Sequence, residues 1–216
     1  MRTISQAVEE IIQRSPFLAE AMAEGVANNA QIARKILPDV EKRLLEKVSE
    51  ASIAMALHRM GKKFNRTPYS AKLLKQMNDI TVRSNLVELV YPNSVELSSL
   101  LKIISESTKH RKDTFVNFSR GLHEALLIID AESEKEAAAS LRKEKSVRRL
   151  EGLSAITMHM PESSLTVPGM YYPILKAIAE EGVSFVEVMS VRTEFSIIFK
   201  DEDIDRAFSV LKRITS

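Results

Sequence analysis

The sequence predicts an α+β protein in which a small helical domain precedes two units of mixed strand and helix. Three observations support this prediction. Apolar residues recur at helical spacing within residues 1–78, whereas apolar and polar residues alternate from Ile80 onward. One order of strands and helices then appears twice, which divides the rest of the chain into residues 79–148 and 149–216.

Residues 1–78 are predicted to form short helices with recognisable starts and ends. The apolar stripe of the first helix consists of Ile4, Ala7, Val8, Ile11 and Ile12. Ser15-Pro16 begins a second helix, because serine caps a helix and proline fits its first turn. Asn28-Asn29 begins a third segment, which Pro38 is expected to end or to separate from the next. Ser49 begins a further helix that ends at Gly61, and a short helix is expected at 73–77.

Basic residues are concentrated in this helical domain. Residues 1–78 hold 13 Lys and Arg against 8 Asp and Glu, whereas residues 79–216 hold 18 against 21. Short helices with a basic excess resemble the helix-turn-helix and winged-helix modules that bind DNA. In that interpretation residues 49–60 form the recognition helix, Arg59 reads a guanine edge, and lysines neutralise phosphates. The candidate DNA contacts are Ser52, Met55, Arg59, Lys62 and Lys63.

Two features leave a second interpretation open for the helical domain. Glu50 stands where the recognition helix would enter a groove of DNA, and the basic residues are scattered along the sequence. A helical module for dimerisation or for docking on another protein would show the same apolar stripes. DNA and a protein therefore both remain candidate partners of residues 1–78.

From residue 79 the pattern indicates a unit of strands and helices. Residues 80–90 alternate between apolar and polar types, as a half-buried strand does. The helix after this strand is expected to carry Leu97, Leu100, Leu101 and Ile104. Strands at 114–118 and 122–129 follow, and a helix after Ser133 completes the unit.

The same order of elements recurs about 70 residues later. Strands are expected at 153–160, 183–189 and 194–199, with a helix that Gly182 ends after the first of them. The last helix carries Ile204, Ala207, Phe208, Leu211 and Ile214. A repeated β-α-β-β-α unit of this size is most simply built as a pair of ferredoxin-like split βαβ units.

Three segments of the second unit are similar to the motifs of a known family. They are Val167-Pro168-Gly169-Met170 before its first helix, Glu180-Glu181-Gly182-Val183 after that helix, and the run from Ser190 to Ile197. Through these segments, residues 153–214 resemble an ACT domain of the aspartokinase kind. The first unit resembles the family in element order but keeps chiefly Glu124 of the motifs.

The resemblance implies that a small-molecule effector, often an amino acid, binds between paired ACT units, and that these units form a homodimer. Binding in this family uses the loop before the first helix and the backbone of the second strand. The candidate ligand-binding residues are therefore Val167, Pro168, Gly169, Met170, Phe185 and Val186.

The residue types in the loop support the same location. Gly169 lets the backbone approach a ligand closely, and the helix that follows offers free N–H groups and a positive dipole end to a carboxylate. Pro173 falls in the first turn of that helix, where its missing N–H costs little. A tight turn into a helix explains Pro168-Gly169 as well, and Glu194 also has an ordinary interpretation as a solvated residue at a strand start.

Several kinds of chemistry are not indicated by the sequence. The chain has no cysteine and six glycines, none of them in a phosphate-binding loop such as a kinase needs. Its four histidines lack metal-ligand spacing, so neither a metal nor another cofactor is expected. No apolar run reaches the length of a membrane span or resembles a signal peptide, so we expect a cytoplasmic protein without a membrane partner.

The sequence thus predicts a regulator and not an enzyme. In the first hypothesis, tandem ACT units bind an effector and control a helical domain that binds DNA or docks on a partner. In the alternative, the chain is a detached regulatory subunit of an amino-acid biosynthetic enzyme.

Overall fold

A computed structural model describes residues 2–64, 73–77, 79–93, 102, 104–106, 109, 114–141 and 146–216. The chain forms two compact units, Met1–Pro68 and Tyr69–Ser216. No helix in these described ranges has the length and apolar content that crossing a membrane requires.

The first unit consists of four helices in its described part, namely α1 (Ile4–Gln13), α2 (Pro16–Ala23), α3 (Asn29–Leu44) and α4 (Glu50–Phe64). Thr3 and Gln6 form a reciprocal capping box at the start of α1, and Asn28 accepts two backbone hydrogen bonds at the start of α3. Ser49 Oγ accepts the backbone N–H of Ser52 at the start of α4. The core of the unit is formed by Ala7, Val8, Ile11, Ile12, Leu18, Met22, Ile32, Ala33, Ile36, Val40, Ile53, Ala56, Leu57 and Met60.

The expected break at Pro38 is wrong, because α3 continues through this residue. A proline inside a helix removes one backbone hydrogen bond. Ile36 and Val40 lie on either side of it and are both buried in the core of the unit. Their burial continues one apolar stripe across the proline and keeps the helix whole.

The second unit contains one six-stranded sheet. Its strands are β1 (Ile80–Pro92), β2 (Val116–Arg120), β3 (Glu124–Asp130), β4 (Arg148–His159), β5 (Glu187–Val191) and β6 (Glu194–Lys200). They lie in the order β2-β3-β1-β4-β6-β5, and every neighbouring pair is antiparallel. The longer helices of this unit are α5 (Ala131–Leu141), α6 (Tyr172–Glu180) and α7 (Ile204–Thr215), and described residues 73–74, 102 and 104–106 are helical as well. Short 3-10 turns occupy Glu162–Thr166 and Asp201–Asp203.

Some expected elements differ from the observed ones. Of the predicted helix around residues 97–104, Leu97, Leu100 and Leu101 lie outside the described residues, while Ile104 is helical and buried, in agreement with the prediction. The strand expected at 183–189 begins only at Glu187, because Val183 is drawn into the core beneath α6 and Phe185 is exposed. Residues 73–77, which the sequence division placed in the helical domain, contribute Leu73, Leu74 and Met77 to the core of the second unit.

The longest strand pair, β1 with β4, contains two opposed bulges. Arg83 pairs with Ala155 and Glu88 with Leu150, but between them Leu86 pairs with Leu153, one position out of register. Asn85 on β1 has a φ of 64° and Gly152 on β4 a φ of 69°. Each strand therefore holds one extra residue, and the second bulge restores the register that the first one shifts.

The two faces of the sheet carry separate buried clusters. On one face, Ile156, Met158, Phe195, Ile197 and Phe199 pack against α6 and α7. On the other face a second cluster is formed by Leu86, Ile128, Leu153, Ala155 and Ile198. Because side chains alternate along a strand, the residues between those of the first cluster point away from the helices.

Candidate functional site

The connection between β4 and α6 encloses a cavity of about 250 Å³, here called the loop cavity. It is lined by Met160, Ser164, Leu165, Val167, Gly169, Met170, Tyr171 and Tyr172. Three of the ligand-binding residues expected in this loop, Val167, Gly169 and Met170, thus surround one small space, with Pro168 between them in the chain.

Contacts at both ends hold the loop in this shape. Gly169 adopts a φ of 73°, a conformation that glycine reaches without the steric cost of a side chain. Tyr171 stacks on Phe195, with ring centroids 4.3 Å apart, and its hydroxyl lies 3.0 Å from Ser190 Oγ. Arg192, in the turn between β5 and β6, donates to both carboxylate oxygens of Glu162 at 2.8 Å.

The lining of the loop cavity suits a small molecule with an apolar part and an anionic group. Met160 and Met170 are almost fully buried and provide an apolar wall, and Ser164 is a buried polar residue beside them. The N-cap residue of α6, Tyr171, makes no side-chain capping hydrogen bond. Backbone donors are few at the start of this helix, because Tyr172 N–H already donates to Gly169 O and Pro173 has no N–H, but the positive end of the helix dipole lies there. Within the described ranges, no group of three or more His, Cys, Asp or Glu residues could hold a metal ion.

The other two expected ligand-binding residues lie elsewhere. Phe185 is 45% exposed, and Val186 packs against the cluster on the sheet face opposite α6 and α7. The backbone N–H of Val186 donates to Ile198 O at 2.7 Å. Neither residue lines the loop cavity of its own chain.

The candidate DNA contacts share one side of α4 as far as the structure describes them. Met55 is 64% exposed, Arg59 is exposed, and Ser52 is half-buried with its hydroxyl 2.7 Å from Ser49 Oγ. Lys62 and Lys63 belong to α4, but their side chains lie outside the described part of the chain. Glu50 at the start of the helix pairs with Arg34 at 3.4 Å.

Sequence reasoning missed a buried acidic residue in the sheet. Glu88 is 1% exposed, and its Oε2 has no hydrogen-bond partner among the described residues. Burial raises the pKa of Glu88, Arg148 at 3.5 Å lowers it in part, and Glu187 raises it further. Burial also raises the pKa of Glu187, again against the effect of Arg148. The alternation of β1 identified a strand, but it gave no reason to expect a buried carboxyl on it.

Sequence comparisons give no relative of this chain, since neither a protein-family profile nor a curated protein matches it. Its fold is similar to that of an aspartate kinase from Clostridium acetobutylicum, with a TM-score of 0.52 and 10% identity over 65% of this chain and 35% of that one. The ligand-free regulatory subunit of aspartate kinase from Thermus thermophilus matches with a TM-score of 0.50 and 9% identity. A structure of aspartokinase alpha and beta subunits matches with a TM-score of 0.53 and 12% identity.

Part of this chain shares the fold of an aspartate kinase regulatory subunit. The match covers 65% of this chain and 99% of the Thermus regulatory subunit, but only about a third of the Clostridium enzyme. The expected likeness to the ACT-type regulatory region of aspartokinases is therefore confirmed at the level of the fold.

Proposed function

We propose that this protein is a non-catalytic regulator that senses an amino acid through two ACT-type units. The observation that carries the proposal is the loop cavity, because it forms at the loop where the resemblance places the ligand. The fold shared with isolated regulatory subunits supports a regulatory role.

Two ferredoxin-like units within residues 79–216 are part of this proposal. β1 lies between β3 and β4, and β6 lies between β4 and β5, as two split βαβ arrangements side by side require. β4 pairs with β1 on one side and with β6 on the other. In this arrangement the units 79–148 and 149–216 share one sheet, and β4 joins them.

The loop cavity also indicates how an amino acid would bind. Its α-carboxylate would lie at the start of α6, where the positive end of the helix dipole favours negative charge. Its side chain would face Met160 and Met170. Since ligand cavities usually measure about 300–1,000 Å³, a cavity of about 250 Å³ suits a molecule of amino-acid size.

A homodimer would complete the site. β5 is an edge strand of the sheet, and Phe185 and Val186 immediately precede it. An edge strand offers unpaired backbone groups to another strand. We expect a second copy to pair along an edge of the sheet and to bring its Phe185 and Val186 towards the loop cavity.

Replacing Gly169 with alanine is expected to abolish the rise in melting temperature that the effector produces. Gly169 has a positive φ, so any side chain strains the loop, although its Cβ would meet no atom within 4 Å. The effector is found by a thermal-shift screen of the twenty amino acids.

Gly182→Ala is the matched control for this experiment. Gly182 also has a positive φ and open space around it, but it does not line the cavity. Both variants should lose about 1–2 kcal/mol of stability, and only Gly169→Ala should lose the effector response. An equal response in both variants would contradict a site in this loop.

For the helical unit we propose docking on an amino-acid biosynthetic enzyme, which makes the chain a detached regulatory subunit. Exposed large apolar side chains support this role, because protein interfaces bury such groups. They are Phe17, Val26, Leu45 and Met55, with exposures of 74%, 75%, 91% and 64%. DNA binding by α4 is the second candidate, supported by Met55 and Arg59 on one exposed side of that helix.

One pair of variants separates these two roles. Leu45→Ser is expected to reduce co-purification of a biosynthetic enzyme, identified by mass spectrometry, because it removes an exposed apolar contact. Arg59→Ala should leave co-purification unchanged. A salt-sensitive shift of random duplex DNA in a gel, weakened by Arg59→Ala and not by Leu45→Ser, would instead establish DNA binding.

A further inference from the structure

The helical unit contains a cavity of about 500 Å³, here called the helix cavity. It lies where α1 ends and α2 begins, against one side of α3. Its lining consists of Ile11, Arg14, Ser15, Asp39, Lys42 and Arg43. Since small-molecule sites usually measure about 300–1,000 Å³, the helix cavity is large enough for a small organic molecule.

Positive charge dominates the lining of the helix cavity. Three cationic residues line it against one acidic residue, Asp39. Arg14 and Lys42 are exposed, and their side chains make no hydrogen bond or ion pair within the described part of the chain. An anion that enters the cavity can therefore pair with these two cations without breaking an existing contact.

The third cation, Arg43, is held in place by a carboxylate outside the lining. Its Nη1 donates to Glu10 Oε2 at 2.8 Å, and its side chain is 24% exposed. The same oxygen lies 3.6 Å from Nη1 of Arg2, so two guanidinium groups share Glu10. When Arg2 and Glu10 are counted with the lining, four cations meet two carboxylates, which leaves an excess of two positive charges.

The two helix ends that meet at Ser15 do not determine which charge the cavity prefers. The negative end of α1 and the positive end of α2 lie on either side of this residue, so their dipoles oppose each other. The charged side chains therefore decide the preference. Ser15 adds a neutral donor, because its hydroxyl makes no capping hydrogen bond to α2. Ile11 is 7% exposed and gives the cavity an apolar contact.

We propose that the helix cavity binds the phosphate group of a small phosphorylated molecule. A phosphate monoester carries a charge of about −1.5 to −2 at pH 7, which matches the excess positive charge, whereas a carboxylate carries a single negative charge. The Arg14 guanidinium and the Lys42 ammonium group donate to the phosphate oxygens, and the Ser15 hydroxyl donates a further hydrogen bond. Ile11 contacts the organic part of the molecule. This inference does not depend on the function proposed for the loop cavity.

Binding of methyl phosphate to the isotopically labelled full chain, followed by the amide NMR signals, tests the proposal. The signals of Ser15 and Lys42 should shift and saturate, because both residues line the helix cavity. Arg14→Gln combined with Lys42→Gln should weaken this binding at least about tenfold, because it removes two charge-assisted hydrogen bonds. Both residues are exposed, so the double variant is expected to fold.

The matched control combines Lys35→Gln with Arg59→Gln. These two residues are exposed, carry the same charges and do not line the helix cavity. Their replacement should leave the affinity for methyl phosphate within about twofold of the wild type, because solvent and salt screen distant charges. An equal weakening by both double variants, or no saturable shift in the wild-type chain, would overturn the proposal.

Two further ligands establish which anion the cavity recognises. Acetate, which carries one charge and no tetrahedral group, should bind at least about tenfold more weakly than methyl phosphate at pH 7. Equal affinities for acetate and methyl phosphate would contradict recognition of phosphate. Random duplex DNA presents phosphates in a macromolecule. If Arg14→Gln with Lys42→Gln weakens DNA binding and methyl phosphate does not bind the wild type, these cations contact a nucleic acid and the small-molecule site is wrong.

Discussion

Replacing Gly152 with valine is expected to lower the free energy of unfolding by about 2–3 kcal/mol. Gly152 lies at the bulge of β4 with a φ of 69°, a conformation that a β-branched residue adopts only with strain. The space around it is open, since an added Cβ would come no closer than 3.8 Å to Asp201 Oδ2. The cost therefore comes from the backbone, and denaturation with urea measures it.

Two further variants test whether backbone strain at the bulge causes this loss of stability. Gly152→Asn should cost less than Gly152→Val, because asparagine tolerates a positive φ better than valine. Gly121→Val adds the same side chain at a glycine without a positive φ, where the Cβ would meet Glu124 O at 3.5 Å. A loss at Gly121 as large as that at Gly152 would show that the bulge is not responsible.

Replacing Glu88 with methionine is expected to raise the free energy of unfolding at pH 7 by about 1–3 kcal/mol. The carboxylate is buried with one oxygen unpartnered in the described structure, whereas methionine has a similar shape and no polar atom to satisfy. Arg148 would lose its ion pair, but it is 59% exposed and stays hydrated.

The pH dependence of stability gives the Glu88 prediction a second readout. Because the pKa of Glu88 is raised above its ordinary value of 4.5, the folded chain holds this proton at pH values where the unfolded chain has released it. The free energy of unfolding of the wild type therefore falls as the pH rises from about 4.5 through the folded pKa. Glu88→Met should reduce this fall in the free energy of unfolding. The raised pKa of Glu187 should account for part of the fall that remains.

Glu124→Met serves as the control for Glu88→Met, because Glu124 is an exposed glutamate at the start of β3. Urea unfolding at pH 7 should give this variant a free energy of unfolding within about 0.5 kcal/mol of the wild type, because the substitution is at the surface. Two results would contradict the destabilising role proposed for the buried Glu88 carboxyl. One is a wild-type free energy of unfolding that does not change between pH 4.5 and 8. The other is a Glu88→Met variant that is less stable than the wild type at pH 7.

Local patterns in the sequence predicted most of the individual elements. The apolar stripes of α1 and α7 are local features, and both helices form where they were expected. The loop that lines the loop cavity could be located in the sequence because Gly169 and the helix after it are adjacent in the chain. Such predictions depend only on residues that are close in sequence. These residues interact in the same way whatever the rest of the fold is.

Two features could not be predicted in the same way: the polar residues that meet on one face of β1, β4 and β6, and the buried Glu88. Alternation places Thr81 and Arg83 on one face of β1, but it does not say which strand lies beside β1. These polar residues meet only because β1 pairs with β4 and β4 with β6, over long separations in sequence. The two bulges also shift the register between β1 and β4, and the secondary-structure propensities of the residues do not predict this shift.

Strand β4 limits how the two sides of the sheet can move relative to each other. Residues 153–158 hydrogen-bond to β6, and most of the same stretch also pairs with β1. Separating the two sides would break one of these ladders along its whole length, which costs far more than the few kcal/mol that ligands usually contribute to a conformational change. An effector of the proposed kind would therefore have to bend the sheet about β4, and the two opposed bulges beside it are the places where the backbone already departs from regular pleating.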